Sequence, residues 1–166
     1  MHQESNILKN QNGKLTLNQF QETPKIVKLE KEISRNKIDW VNSHLGICDY
    51  SVGFFPFDEV SLVRTDCFVV NVADDYNADG KYDVKVPLTV GYIPESKLNV
   101  ISDIIGMAIR RDKKVIVSCN AGQERGPLAV VWYLMNRGMQ FENAYSLVKD
   151  VRKETSDVRS WIHFGE

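Results

Sequence analysis

The amino-acid sequence predicts an α/β fold: a central, mostly parallel sheet flanked by helices. Three observations lead there. The runs "CFVVNVA" (67–73) and "KVIVS" (114–118) are apolar without alternation, as in strands covered on both faces. Segments with a helical period lie between and after them, at 94–111, 126–138 and 141–154. Strands alternating with helices of this length build parallel sheets between helical layers.

The chain has 166 residues, enough for one domain with a sizeable core, and shows no internal repeat. Residues 1–24 are rich in Gln, Asn and Lys and lack periodicity, which predicts a loosely held arm. The polar N-terminal arm is expected to extend to residue 37 and the folded domain to cover 38–166. "KIVKLEKEISR" (25–35) fits a short helix or a strand equally well. "IDWVNSHLGI" (38–47) reads as a strand leading into a turn, and "FDEVSLVR" (57–64) has a short helical pattern. After the 67–73 strand, "DDYNADGKYD" (74–83) is dense in turn formers. "VKVPL" (84–88) is strand-like. The 94–111 segment places apolar residues at 98, 101, 104, 105, 108 and 109, with Ser96 or the preceding proline as opener. The 126–138 segment is apolar almost all round, as in a central core helix, and Gly138 suits its C-terminal cap. The 141–154 segment is amphipathic.

Bulk charge excludes some partners. Net charge is −1, so nothing points to nucleic acid or an anionic membrane surface. No apolar run approaches the roughly 18–20 residues of a membrane span, and the N-terminus carries no hydrophobic signal region. The cysteines, Cys48, Cys67 and Cys119, are odd in number and lack metal-ligand spacing. No metal or cofactor is expected, and a reducing, cytoplasmic setting is. Cys48 and Cys67 lie among apolar residues and read as small buried hydrophobes.

The third cysteine differs. In "KKVIVSCNAGQERGPLAVVWYLM", Cys119 ends a buried strand, and Arg125 follows six residues later where an apolar helix begins. Ligands of open α/β sheets bind at the carboxyl ends of strands. In a tight loop there, backbone N–H groups converge and the helix end adds positive potential. Such a site suits an anion with several acceptor oxygens, and phosphate fits best. Arg125 adds a planar fork for two of those oxygens, and Gly122 a position where positive φ costs little. Loop residues Asn120, Ala121, Gly122, Gln123, Glu124 and Arg125 are therefore the candidate substrate contacts. The same field favours a thiolate at Cys119, with a pKa expected well below the free value of about 8.5. A thiolate under a phosphate cradle can attack phosphorus in line, and water then hydrolyses the phosphocysteine.

The segment Ser118-Cys119-Asn120-Ala121-Gly122-Gln123-Glu124-Arg125-Gly126-Pro127 resembles the signature loop of the cysteine-dependent protein tyrosine phosphatases, the compact dual-specificity type in particular. That family reads His-Cys-x-x-Gly-x-x-Arg-Ser/Thr. "AVVWYLMNRGMQFENAYSLVKDVR" resembles the helix pair after the loop, "VKVPL" and "ESKLNVISDIIGMAI" the strand and helix before it, and "HLGICDYS" and "DCFVVNVADD" the first strands. The resemblance covers roughly 38–164. It implies a dual-specificity phosphatase fold, with Cys119 as nucleophile and Arg125 as phosphate ligand.

Three departures stand out. Ser118 replaces the histidine that helps order the loop. Gly126 replaces the hydroxyl residue that assists release of the cysteine sulfur. Thr89 and Val90 occupy the place where the family keeps its general-acid aspartate. The carboxylates left as candidates are Asp83 first, then Glu95 and Glu124. Two functions compete. One is a phosphatase of phosphotyrosine, phosphoserine/threonine or another phosphate monoester, with an atypical acid or none. The other is a catalytically impaired, phosphatase-like module that binds a phosphorylated partner. Sulfur or arsenate chemistry on a related loop fits the downstream helices less well. The patch "YSVGFFPF" (50–57) reads as core filling and a turn, and Tyr92 as a residue able to stack on substrate.

Overall fold

The computed structural model describes residues 38–50, 67–77 and 82–166. All belong to one compact unit, Asn36–Glu166. The expected arm at 1–37, the helical pattern at 57–64 and the patch beyond Tyr50 lie outside the described residues, as does the middle of the 74–83 turn.

The sheet is built as the apolar runs demand. Strands β1 (Asp39–Trp40), β2 (Leu45–Cys48), β3 (Cys67–Ala73), β4 (Val84–Leu88) and β6 (Lys114–Ser118) form five strands in the order β1-β2-β6-β3-β4. The β2–β6, β6–β3 and β3–β4 pairings are parallel, and only β1 runs antiparallel, against β2. The 38–47 segment is thus a hairpin rather than one strand. Its turn closes where Val41 N–H donates to the Leu45 carbonyl at 2.8 Å. Gly46 is required there, because a Cβ would meet Ile38 Cγ2 at 2.7 Å.

Side chains alternate between two apolar layers, as the pleat requires. Val70, Val72, Val115, Val117, Leu45 and Ile47 face the main core, while Val69, Ile116 and Cys48 form a second cluster on the other face. Cys67 is only half-buried, at the start of β3, where the strand has not yet entered the core. This corrects the expectation of a buried thiol.

Helix α1 (Glu95–Arg110) is opened by Pro94 rather than Ser96. It buries Leu98, Ile101, Ile105 and Ala108 of the predicted stripe, while Ile104 and Ile109 are half-buried. Glu95 in its first turn and Arg110 in its last complement the helix dipole. Helix α2 (Arg125–Asn136) buries every residue from 125 to 134 and packs between α1, the sheet and α3 (Phe141–Val151). Gly138, at φ +105°, ends its chain excursion as expected. Helix α3 buries Ala144 and Val148. A second, two-stranded parallel sheet joins β5 (Ile93–Pro94) to β7 (Ile162–His163). Nothing in the periodicity announced it, since each strand has two residues. Among the described residues no helix is long and apolar enough to cross a membrane.

Candidate active site

Because β3, β4 and β6 are parallel, their carboxyl ends lie together. Asn71 pairs with Ser118 across β3 and β6, and Ala73 with Leu88 across β3 and β4. The chain emerges from this edge as three segments: 74–77, 89–92 and the 119–124 loop. Cys119 is 3% exposed and Arg125 4% exposed, so both are core residues as much as site residues.

The loop is held by its carbonyls. Asn120 accepts from the Tyr50 N–H at 2.9 Å, Gln123 from the Ser156 N–H at 2.8 Å, and Glu124 from the Leu128 N–H at 3.0 Å. Arg152, buried just beyond α3, donates through Nε to the Gly122 carbonyl and through Nη2 to that of Ala121 at 3.4 Å. Its Nη1 donates to Asp39 Oδ2 at 2.8 Å, which anchors the clamp to β1. Five consecutive carbonyls are thus engaged by groups outside the loop. Gly122 has φ +67°, and a Cβ there would run into Arg152. The amides of Gly126, Gly122 and Glu124 donate toward Cys119. The nest expected from the spacing is therefore built around the sulfur, chiefly by three amides.

The electrostatics differ from expectation. Burial pushes the Cys119 thiol up, against the three amides and the Arg125 charge that favour the thiolate. The sequence implied a lowered pKa. The cause is burial: the sulfur is almost wholly desolvated. Arg125, whose charge favours the thiolate, is itself paired. Its Nη1 donates to Asp74 Oδ1 at 2.9 Å and to the Leu88 carbonyl at 3.0 Å, and its Nη2 to Asp75 Oδ1 at 2.9 Å. Asp75 also accepts from Asn120 Nδ2 at 3.3 Å. Burial acts to raise the Asp75 pKa, but the bond and charge of Arg125, with Asn120, outweigh it and hold the carboxyl below its ordinary value.

Asp74 and Asp75 were missed because they read as turn formers some fifty residues from the loop. One signal was available: they follow the carboxyl end of β3 directly, at the edge where the loop emerges. Arg152 carried no comparable signal.

The sequence candidates for the acid fall elsewhere. Asp83 lies level with Val69, whose partner across β6 is Ile116. That is three residues behind Cys119, about 10 Å along the strands. Its carboxylate accepts the Val69 N–H at 2.7 Å, a structural staple between β3 and β4. Glu95 accepts the Gly165 N–H at 2.9 Å, tying α1 to the C-terminal segment. Glu124 immediately precedes α2, inside the loop. In the acid's place, Thr89 bridges to Tyr92 across a tight turn with Gly91 at φ +83°. The Thr89 hydroxyl donates to Asp74 Oδ2 at 2.8 Å, and Val90 points to solvent, 52% exposed. Tyr92 packs on His163 and bonds Glu166, so its ring is engaged at the C-terminus. Ser118 is buried in β6, and Gly126 packs closely on Cys119: a Cβ there would sit a tight 3.3 Å from Sγ.

Residues 67–163, more than half the chain, match the family described as dual specificity phosphatase, catalytic domain. No curated protein matches in sequence. Among solved structures, human DUSP28 superposes with a TM-score of 0.61 at 21% identity, covering 75% of this chain and 86% of its own. The human tyrosine phosphatase-like serine/threonine/tyrosine-interacting protein gives 0.64 at 15% identity, covering 76% and 91%. A leucine rich repeat and phosphatase domain containing protein from Entamoeba histolytica gives 0.62 at 12% identity, covering 78% and 88%. At these identities the likeness concerns the fold.

Proposed function

The chain belongs to the dual specificity phosphatase family, and from that premise we propose that it is a cysteine-dependent phosphatase. Its substrates are phosphate monoesters, phosphotyrosine or phosphoserine/threonine, and its intermediate is a phosphocysteine on Cys119. One observation carries the reading: a single buried sulfur receives the amides of Gly122, Glu124 and Gly126 beside the buried Arg125. Such an array is matched to a phosphoryl group, whose charge in the transition state spreads over three equatorial oxygens.

Cys119 first loses its thiol proton to solvent, and the thiolate attacks phosphorus. The S–P bond forms, the bond to the leaving oxygen breaks, and that oxygen takes a proton. Water then attacks the phosphocysteine, a new P–O bond forms, and the thiolate departs. Loop residues 120–124 and Arg125 supply the donors. A reactive thiol of this kind needs a reducing compartment, so the proposed setting is the cytoplasm.

The test is turnover of an activated nitrophenyl phosphate, with vanadate binding measured by calorimetry. Activity is expected in the wild type and not in Cys119→Ser. Vanadate affinity should fall at least tenfold in Arg125→Ala. Equal activity in Cys119→Ser would overturn the reading. A second reading, a module that binds a phosphorylated partner without turnover, is favoured by Thr89 in the acid's place. Tight vanadate binding with no turnover of any phosphate would select it.

A further inference from the structure

We propose that Asp75 is the general acid and base of this site, a role it takes when a substrate phosphate shares Arg125 with it. The inference rests on the phosphatase reading above.

Arg125 has five N–H groups. Both hydrogens of Nη1 are committed, to Asp74 and to the Leu88 carbonyl. One hydrogen of Nη2 goes to Asp75. The Nε–H and the second Nη2 hydrogen have no partner among the described residues. With Asp75 on the Nη2 hydrogen that points away from Nε, those two form a planar fork of the kind that binds phosphate through two parallel bonds. A phosphate on it places one of its oxygens and Asp75 Oδ1 on the same nitrogen. Two acceptors that each lie about 2.9 Å from one nitrogen are at most about 6 Å apart.

That proximity inverts the chemistry of Asp75. While Arg125 serves it alone, the carboxyl stays ionised. A phosphate dianion beside it drains the arginine's charge and adds a like charge, and both effects favour a proton on the carboxyl. Two carboxylates compete for that proton, and their anchors differ. Asp74 is fixed by two donors, Arg125 Nη1 and the Thr89 hydroxyl at 2.8 Å. Asp75 has the shared Nη2, a longer bond to Asn120 at 3.3 Å and its own backbone N–H, none of them from a second element's hydroxyl as Asp74 has from Thr89. It is also the more exposed, 46% against 34%. Asp75 is therefore the carboxyl able to protonate and move, and Asn120, next to Cys119, keeps it at the rim of the cradle. Asp74 and Thr89 hold the arginine.

In the first step the thiolate forms the S–P bond as the P–O bond to the leaving group breaks, and the Asp75 proton passes to the leaving oxygen. In the second, the Asp75 carboxylate takes a proton from water as that water's oxygen bonds to phosphorus and the S–P bond breaks. The products are an alcohol or phenol, inorganic phosphate and the starting thiolate.

The experiment compares wild type, Asp75→Asn and Asp75→Glu on aryl and alkyl phosphates spanning leaving-group pKa. Loss of the acid should lower kcat on poor leaving groups by about 10²–10⁴-fold. An activated nitrophenyl phosphate should suffer far less, so the slope of log kcat against leaving-group pKa steepens. Asp75→Glu should recover part of the loss, and vanadate affinity should persist in all three. An unchanged slope in Asp75→Asn, with the wild type active, overturns the proposal alone. No turnover and no vanadate binding in the wild type overturns the phosphatase reading with it.

Discussion

Gly126 is where a single side chain was exchanged for backbone. Its amide already donates to Cys119, and its Cα faces the sulfur closely enough that a Cβ would sit 3.3 Å from Sγ and 3.7 Å from Ile47 Cγ2. The first contact is tight and needs a shift of a few tenths of an ångström. The second is ordinary. A serine is accommodated if Cys119 gives by that amount, which would bring a hydroxyl beside the sulfur that departs in the second step of the proposed mechanism. Gly126→Ser is expected to speed phosphocysteine breakdown and to shrink any burst of nitrophenol before steady turnover. A burst of unchanged amplitude in rapid-mixing kinetics would show that the amide alone suffices. The Cys119 thiol gives a second prediction at this scale. Its pKa is raised by burial, and Arg125, whose charge favours the thiolate, is shared with two carboxylates. Wild-type alkylation by iodoacetamide should thus climb only above the ordinary thiol pKa. Asp74→Asn with Asp75→Asn leaves Arg125 unopposed, stabilises the thiolate and should move that rise to lower pH. A rise at the same pH in both proteins would mean the carboxylates do not govern the sulfur.

Among the elements, the clearest specialisation is the clamp of the loop by Arg152. Helix α3 ends at Val151, and the next residue sends a buried guanidinium across to two loop carbonyls and to Asp39 on β1. Gly122 leaves the room this requires. Gly122→Ala places a methyl against that guanidinium at a φ costing about 1–2 kcal/mol for an L-residue. It should weaken vanadate binding severalfold by turning the amides away from the sulfur, and calorimetry reads this directly. The 89–92 turn is the second specialised element. Where the resemblance places an acid it has Thr89, which holds Asp74. Thr89→Asp should therefore restore part of the activity on poor leaving groups that Asp75→Asn loses, and little in the wild type.

These elements show where sequence reasoning reached and where it stopped. Cys119 and Arg125 were legible because one short loop carries both, with a buried strand before it and a buried helix after. The strands at 67–73, 84–88 and 114–118 were legible because burial on both faces leaves an unbroken apolar signature. Asp74, Asp75 and Arg152 were not, because their roles arise only when β3 and α3 are placed around the loop. Asp83 looked like the acid by position in the chain, but a parallel strand puts it at the end remote from the cysteine.

At the scale of the whole molecule, the site and the stability of the fold are coupled through Arg125. It is a buried cation at the start of the central helix, and every folded copy must compensate it. In the structure Asp74, Asp75 and the Leu88 carbonyl do so. A phosphate would do the same work from the other edge of the guanidinium. Replacing both aspartates by asparagine should therefore have two opposite effects. Before any oxyanion is added, the variant should be less stable by on the order of 1–3 kcal/mol, discounted because both carboxylates are partly exposed. Once vanadate is added, the variant should gain more than the wild type, because the oxyanion no longer faces two like charges. Ligand binding to the folded state adds RT ln(1 + [L]/Kd), about 2.7 kcal/mol at a hundredfold excess over Kd. The tighter Kd of the variant should thus appear as the larger rise in Tm at equal vanadate. Thermal unfolding of both proteins across a vanadate series measures both effects. A lower starting Tm with an equal or smaller vanadate shift would mean that the aspartates only brace the fold and do not contend with the anion for Arg125.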